Sequence, residues 1–312
     1  KRIQDAINTR KTVYIKNHTN ACRLINAEGD FLPGLICDIY DKVLVVQLNS
    51  AGFIHRSEYL IEEIKNACKV YLNVDCSFII DKTPEKVFLL EGINRTKIVQ
   101  NNECLKDIAI LENGNVFNVD LIEGQKTGFY TDQRENRLLS ANTISGLTGL
   151  DCFSYTGGFA IYLSKKNNVQ AIETSAKSCK IMEDNLKINR CKAEIVCDDV
   201  YKILEKTNKV DFINIDPPKY ISGDKDYYRG IKQYELLFTL CLLKIKEGGF
   251  LGASSCSSIL TPDDFLQVLS SSAVKAKRLI KILAFNGAGS DYPVSLHCPE
   301  SRYLKFALLK VE

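Results

Sequence analysis

The chain has 312 residues, 45% hydrophobic and 25% charged, enough for one large or two medium domains with proper cores. A net charge of +3 permits a nucleic-acid partner without pointing to one, and no apolar run approaches the roughly 18 residues a membrane helix needs. Twelve scattered cysteines with no C-x-x-C pair, and three histidines that cluster nowhere, speak against a small secreted disulfide scaffold and against a bound metal.

Reduced thiols in a cytoplasmic compartment are therefore expected, with an organellar home left open. The chain opens on Lys1 and its only methionine is Met182, so native sequence is expected ahead of residue 1.

In chain order, the first 16 residues carry helical spacing and read as a linker or a lead-in helix. From Cys22, "ACRLINAEGDFLPGLICDIYDKVLVVQLNS" alternates apolar residues around turn signals at Glu28-Gly29-Asp30 and Tyr40-Asp41-Lys42, which predicts strands and hairpins. "IHRSEYLIEEIKNACKV" has the three- and four-residue spacing of a helix, while "SFIID", "KVFLLEG" and "IAILENGNVFNVDL" read as strands, the last turning at Asn113-Gly114-Asn115. Residues 1–122 thus form a small α+β domain in this reading.

Beyond Gly124 the rhythm becomes strand, helix, strand, helix. "GLTGLDCF", "NVQAIE", "AEIVC", "KVDFINID" and "GGFLGASS" are the strands, and "SAKSCKIMEDNLKINR" and "RGIKQYELLFTLCLLKIK" are among the helices. Such alternation predicts an α/β domain over residues 123–312, a parallel sheet with helices on both faces, closed by an antiparallel strand in "SRYLKFALLKVE".

Ligands of open α/β sheets lie at the carboxyl ends of the strands, so the residues after each apolar run carry the information. Gly157-Gly158 in "DCFSYTGGFA" would let the backbone pass close to a ligand, or would simply make a tight turn. Glu173, followed by Thr174-Ser175, could accept two bonds from a ribose diol, and Asp198-Asp199 could accept one from an adenine amino group; each could equally cap the next helix. Together they suggest an adenosine ligand without a phosphate cradle. At the fourth strand end, "NIDPPKY", two prolines hold Asp216 and Lys219 at the edge of the cleft. The fifth ends in "SSCSS", where Cys256 lies one sheet position from Asp216 in the usual ordering. Its serine neighbours Ser254, Ser255, Ser257 and Ser258 argue against apolar burial, and a nearby lysine would raise its thiolate fraction.

At this point the chain resembles, over nearly its whole length, the class I S-adenosylmethionine-dependent methyltransferases that make 5-methylcytosine in bacterial-type large-subunit ribosomal RNA. The resemblance rests on "EGDFLPGLICDIY", "KTGFYTDQRENR", "CFSYTGGFA", "DPPKY", "SSCSSILTPDDF" and "PESRYLKFALLKV" in that order. It implies a Rossmann-like seven-stranded methyltransferase sheet behind the smaller N-terminal domain, and a PUA module ahead of the segment where this chain starts. It further implies Cys256 as the nucleophile on cytosine C6, with Asp216 on the N3 and amino edge of the base and Lys219 beside them. The cofactor side would comprise Tyr130, Gln133, Arg134, Asp151, Phe153, Ser154, Tyr155, Gly157, Gly158, Phe159, Glu173, Thr174, Ser175, Asp198, Asp199 and Asp216. Phe129, Tyr130, Tyr155 and Phe159 are aromatic candidates to face the sulfonium, and Gln133 and Arg134 would hold the methionine end.

The implied partner is ribosomal RNA, presented as a single-stranded or flipped cytosine, because a stacked base hides C5 and C6. Arg302 and Lys305 are candidates to grip the phosphate backbone. A homodimer is compatible with the reading; a membrane and a metal are not part of it. Two other readings stay open: a methyltransferase acting on nitrogen, which would use Asp216-Pro217-Pro218 without a nucleophile, and a non-catalytic RNA- or nucleotide-binding module.

Overall fold

The computed structural model describes residues 1–15, 18–94, 105 and 108–312, and the contacts divide the chain into two units. The first holds Lys1–Arg134 and Gly289–Ser301; the second holds Glu135–Ala288 and Arg302–Glu312. The expected boundary after residue 122 therefore lies twelve residues later, at 134, and a second crossing returns 289–301 to the first unit. Buried ion pairs account for both differences. Asp291 accepts the Arg134 guanidinium at 2.5 Å and the Arg23 backbone N–H at 2.8 Å, while Arg10 forks onto both oxygens of Asp30 at 2.6 Å and reaches the Asp291 carbonyl at 3.0 Å.

In the first unit, α1 (Arg2–Thr9) buries Ile3, Ala6 and Ile7, and so is the lead-in helix rather than a linker. Strands β1 (Ala21–Asn26), β2 (Leu35–Tyr40) and β3 (Val43–Leu48) pair antiparallel in sequence; the short α2 (Ala51–Ile54) and α3 (Ser57–Ala67) follow, and β4 (Phe78–Asp81) joins β3 in parallel. "KVFLLEG", expected as a strand, is the helix α4 (Glu85–Glu91). Pro84 in extended conformation starts it, and Gly92 at φ +64° ends it, the Pro-before, Gly-after punctuation of a helix. The hairpin β5 (Ile108–Glu112) and β6 (Asn115–Val119) turns through Asn113 and Gly114, both at positive φ, as the sequence pattern requires.

The second unit begins with α5 (Arg134–Thr143), whose first residue still belongs to the first unit, and continues as β7 (Thr148–Cys152), α6 (Gly158–Ser164), β8 (Asn168–Glu173), α7 (Ala176–Ile188), β9 (Ala193–Cys197), α8 (Val200–Lys206), β10 (Val210–Ile215), α9 (Tyr227–Lys244), β11 (Ile245–Ser255), α10 (Pro262–Ala276), β12 (Ile280–Asn286) and β13 (Lys305–Val311). The seven strands lie in the order β12-β13-β11-β10-β7-β8-β9. The five from β11 to β9 run parallel, and β13 is inserted antiparallel between β11 and β12. This is the Rossmann-like methyltransferase sheet that was expected, with β12 as a strand the sequence reading did not separate.

One face of the sheet packs on α8, α9 and α10 through a core that includes Ile213, Ile215, Leu237, Phe238, Leu251 and Phe265. Gly149 is where β7 and β10 come too close for a side chain: a Cβ there would lie 2.2 Å from the Phe212 carbonyl oxygen and 2.5 Å from its ring. Gly149→Ala is expected to cost about 3 kcal/mol, the upper end of overpacking penalties, read as a lower urea midpoint at unchanged slope.

Candidate active site

The sheet register decides which strand ends are neighbours. Cys152, Ile215, Ala253 and Ala307 form one row across β7, β10, β11 and β13, and point into the α8–α10 core. Alternation along each strand then turns the adjoining residues, Asp151, Asn214 and Phe306, to the opposite face. β10 and β11 are adjacent, so Asp216 and Cys256 emerge from neighbouring strand ends, as expected.

At the end of β7, Asp151 is 1% exposed. It accepts from Ser154 Oγ at 2.5 Å and Asn214 Nδ2 at 2.8 Å. Burial nevertheless pushes its carboxyl up to about 6; the bonds from Ser154 and Asn214 pull it down and the nearby Asp216 charge raises it further. A buried acid in this state is suited to a cationic partner. The loop that follows is contorted: Phe153, Tyr155 and Gly157 lie at φ +60°, +51° and +88°, and only the glycine adopts that region without strain. Gly157 is needed for a second reason, since a Cβ there would come 2.7 Å from Met182 Cγ; the open space goes to packing rather than to a ligand. The loop does hold an orphan: Thr156 Oγ1 is buried without a hydrogen-bond partner, as is Asn214 Oδ1 on β10. Phe159 is 5% exposed and stacks on Phe306 with ring centres 6.1 Å apart, so it packs α6 onto the sheet.

Glu173, at the end of β8, is half-buried. It takes one backbone N–H on each oxygen, Tyr155 and Ser175, both at 2.9 Å, which leaves lone pairs for a diol. Thr174 donates to the same carboxylate at 3.3 Å. For Ser175 and Asp199 the capping alternative holds: Ser175 Oγ accepts from Ser178 N at 3.2 Å, and Asp199 Oδ1 accepts from Lys202 N at 3.1 Å. Asp198 stays at the surface, its carboxyl held low first by the Asp199 backbone bond.

The β10–α9 and β11–α10 loops are tied to one another. Tyr234, 0% exposed, shares its hydroxyl with Ser255 Oγ at 3.0 Å, Ser257 Oγ at 2.9 Å and the Tyr220 backbone N–H at 3.5 Å. Ile221 N donates to Ser257 Oγ at 3.4 Å. Asp216 is half-buried and its N–H reaches the Cys152 carbonyl at 3.3 Å, whereas Lys219 is exposed. Cys256 is likewise half-buried, in contrast to Cys152 and Cys241, which are sealed in the core with thiols pushed up by burial.

The serines beside Cys256 are not the exposed flank that was expected. Ser254, Ser255 and Ser257 are 0% exposed, and only Ser258 faces water; hydrogen bonding to Tyr234 and within the loop is what allows Ser255 and Ser257 to be buried. Lys305 is a second correction. It is 1% exposed and donates to the carbonyls of Ser257 at 2.5 Å and Tyr303 at 2.9 Å, so it grips the cysteine loop and not a phosphate. Sequence reasoning assigned Lys305 wrongly and missed Tyr234 and Asn214. The available signal was the lysine itself, set inside the apolar run "YLKFALL".

The remaining cofactor-side candidates lie in the first unit. Tyr130 donates to Gln125 Oε1 at 2.5 Å and carries Lys126 over its ring at 4.3 Å. Gln133 is 1% exposed, and Phe129 packs on Phe117 with ring centres 4.9 Å apart, in the core. Arg134 is bound to Asp291; burial alone would lower its pKa, but the Asp291 charge prevails and raises it, so the guanidinium stays fully ionised.

A family model described as S-adenosylmethionine-dependent methyltransferase matches residues 96–284. Ribosomal RNA large subunit methyltransferase I of Shigella dysenteriae serotype 1 is 33% identical over 315 residues, covering 98% of this chain and 78% of the relative. The protein of the same name from Escherichia coli strain SMS-3-5 gives the same figures, 33% identity with 98% and 78% covered. Two solved structures share the fold, each 24% identical and covering 99% of this chain and 80% of that one. One, SMU.776, provisionally named a methyltransferase and complexed with SAH, gives a TM-score of 0.82; the other, provisionally named a SAM-dependent methyltransferase from Streptococcus mutans, gives 0.81.

Proposed function

The chain belongs to the S-adenosylmethionine-dependent methyltransferases, in the group of ribosomal RNA large subunit methyltransferase I, and from that premise we propose that it forms 5-methylcytosine in large-subunit ribosomal RNA through a covalent Cys256 adduct. The single observation that carries the proposal is the half-buried Cys256 at the end of β11, beside the Asp216 strand end. The bound cofactor supplies an electrophilic methyl group on a sulfonium. Asp151, the Thr156 hydroxyl and the Glu173 carboxylate are the groups that would hold it: a buried acid for its cationic portion, an unpartnered donor, and free lone pairs for its ribose.

Cys256 Sγ bonds to C6 of the cytosine, and the displaced electron pair makes C5 nucleophilic toward the methyl group. As the C6 bond forms, N3 takes up a proton from water to neutralise the charge displaced onto it, and Asp216 accepts from the resulting N3–H and from the amino group, holding that edge of the base. Loss of the C5 proton to a base then restores the double bond and expels the Cys256 thiolate. A flipped or single-stranded cytosine is required, since both C5 and C6 must enter the cleft. The relatives extend beyond this chain by about a fifth of their length, room for a PUA module of the type linked to this family. A reducing cytoplasm suits the protein, because none of the eleven cysteines among the described residues is in a disulfide.

Incubating the protein with S-adenosylmethionine and unmodified large-subunit ribosomal RNA, followed by bisulfite mapping, is expected to reveal one or a few protected cytosines. Methylated nucleosides recovered only as N-methyl species would sink the proposal in favour of the nitrogen-directed alternative.

A further inference from the structure

Lys305 lies between Leu304 and Phe306 in an apolar strand with 1% of its surface exposed. An ammonium so placed forfeits its hydration, and a lone charge there is strongly unfavourable unless partners replace the water. Its two bonds go to carbonyl dipoles, those of Ser257 and Tyr303. The position of these partners is informative. Lys305 pairs with Ser255 across β11 and β13, and its side chain then reaches forward to the Ser257 carbonyl, so the lysine brackets Cys256 from both sides. Of the charges acting on it, that of Cys256 favours the ammonium, whereas those of Lys219 and Arg302 oppose it.

We propose that Lys305 is the positioning residue for the Cys256 nucleophile, fixing the Ser255–Ser257 turn and supplying the buried positive charge against which the thiol ionises. The inference rests on Cys256 as the nucleophile. Burial pushes the Lys305 ammonium down to about 8, so it titrates in the range of an ordinary thiol. The thiol proton passes to water when Lys305 is already charged, or to Nζ when it is neutral; in both cases the end state is an ammonium beside a thiolate. That pair replaces an isolated buried cation, which is why each charge favours the other. Exposed Lys219 stands off this pair as a like charge on the lysine, so it is not the group that raises the thiolate fraction.

The test needs no RNA. Alkylation of Cys256 by iodoacetamide is followed between pH 5.5 and 9.5 by peptide mass spectrometry, which separates it from the other cysteines. In the unaltered protein the midpoint is expected below about 8, lower than a free thiol. Lys305→Gln, which keeps donors but removes the charge, is expected to slow alkylation at pH 7 about tenfold and move the midpoint up by about one unit, while Lys305→Arg stays within about threefold. An unaltered-protein midpoint at or above the free-thiol value overturns the inference without any variant. So does a Lys305→Arg protein that folds yet reacts as slowly as Lys305→Gln, since shape and not charge would then matter. If instead the alkylation behaves as expected while Cys256→Ala still methylates RNA, the charge pair stands and the covalent mechanism falls.

Discussion

Replacing Cys256 by alanine is expected to lower the rate of RNA cytosine methylation by at least about 10⁴-fold, the scale of losing a covalent nucleophile. S-adenosylmethionine affinity is expected to stay within about twofold, since none of the groups assigned to the cofactor is touched. The two readouts together matter. A nitrogen-directed methyltransferase with the same Asp216-Pro217-Pro218 loop would lose little from Cys256→Ala, because the nitrogen lone pair is already nucleophilic and needs no adduct. The alanine also leaves the fold intact: Cys256 is half-buried and outside the α8–α10 core, unlike Cys152 or Cys241, whose truncation would leave a cavity. RNA carrying 5-fluorocytosine sharpens the result. Fluorine at C5 cannot be removed as a proton, so the unaltered protein should arrest as a protein–RNA adduct that survives denaturing gel electrophoresis, and Cys256→Ala should give none. Turnover retained by the alanine variant, or an adduct formed without the sulfur, would refute the mechanism.

Strand ends are where the sequence was most legible, because buried parallel strands read as short apolar runs and the first polar residue afterwards marks the ligand side. Glu173, Asp198, Asp216 and Cys256 stand at such strand ends, whereas Asp151 lies inside β7 and was implied only by the family resemblance. What the sequence hid depends on partners distant along the chain. β12 carries Lys281 among apolar residues, and Ile282 and Leu283 are exposed at the sheet edge, so no burial pattern marks it as a strand. "KVFLLEG" is too short for its period to tell helix from strand, and the flanking Pro84 and Gly92 were the better guide. The return of Gly289–Ser301 to the first unit rests on Asp291 meeting Arg134 and Arg23, a contact over more than 150 residues that no local pattern announces. The buried serines and Lys305 fail for the same reason: a polar residue reads as exposed until its hydrogen-bond partner, here Tyr234 or the Ser257 carbonyl, is located.

Cofactor affinity is expected to rise by about tenfold per pH unit up to pH 6 and to level off above it, through the ionisation of Asp151. The folded carboxyl titrates at about 6, against an ordinary 3.8, chiefly because it is buried. The sign follows from which state binds the proton more tightly. A raised folded value means that the native protein holds the proton better than the unfolded chain does. Asp151 therefore contributes stability that is fully present below about pH 4 and is lost as pH rises through 6, in total about 3 kcal/mol for a shift of this size. Above pH 6 the ligand-free protein carries a buried carboxylate relieved only by Ser154 and Asn214, with Asp216 nearby as a like charge. A cationic ligand group removes that penalty, so binding should favour the ionised acid and release a proton below pH 6. Asp151→Asn cannot ionise. It should bind S-adenosylmethionine more weakly with no pH slope, and its stability relative to the unaltered protein should improve as pH rises from 4 to 7. Titration calorimetry from pH 5 to 8, beside urea unfolding of the ligand-free proteins, measures both. An affinity flat across pH 5–7 in the unaltered protein, or a slope that survives in Asp151→Asn, would show that the cofactor's positive charge is held elsewhere.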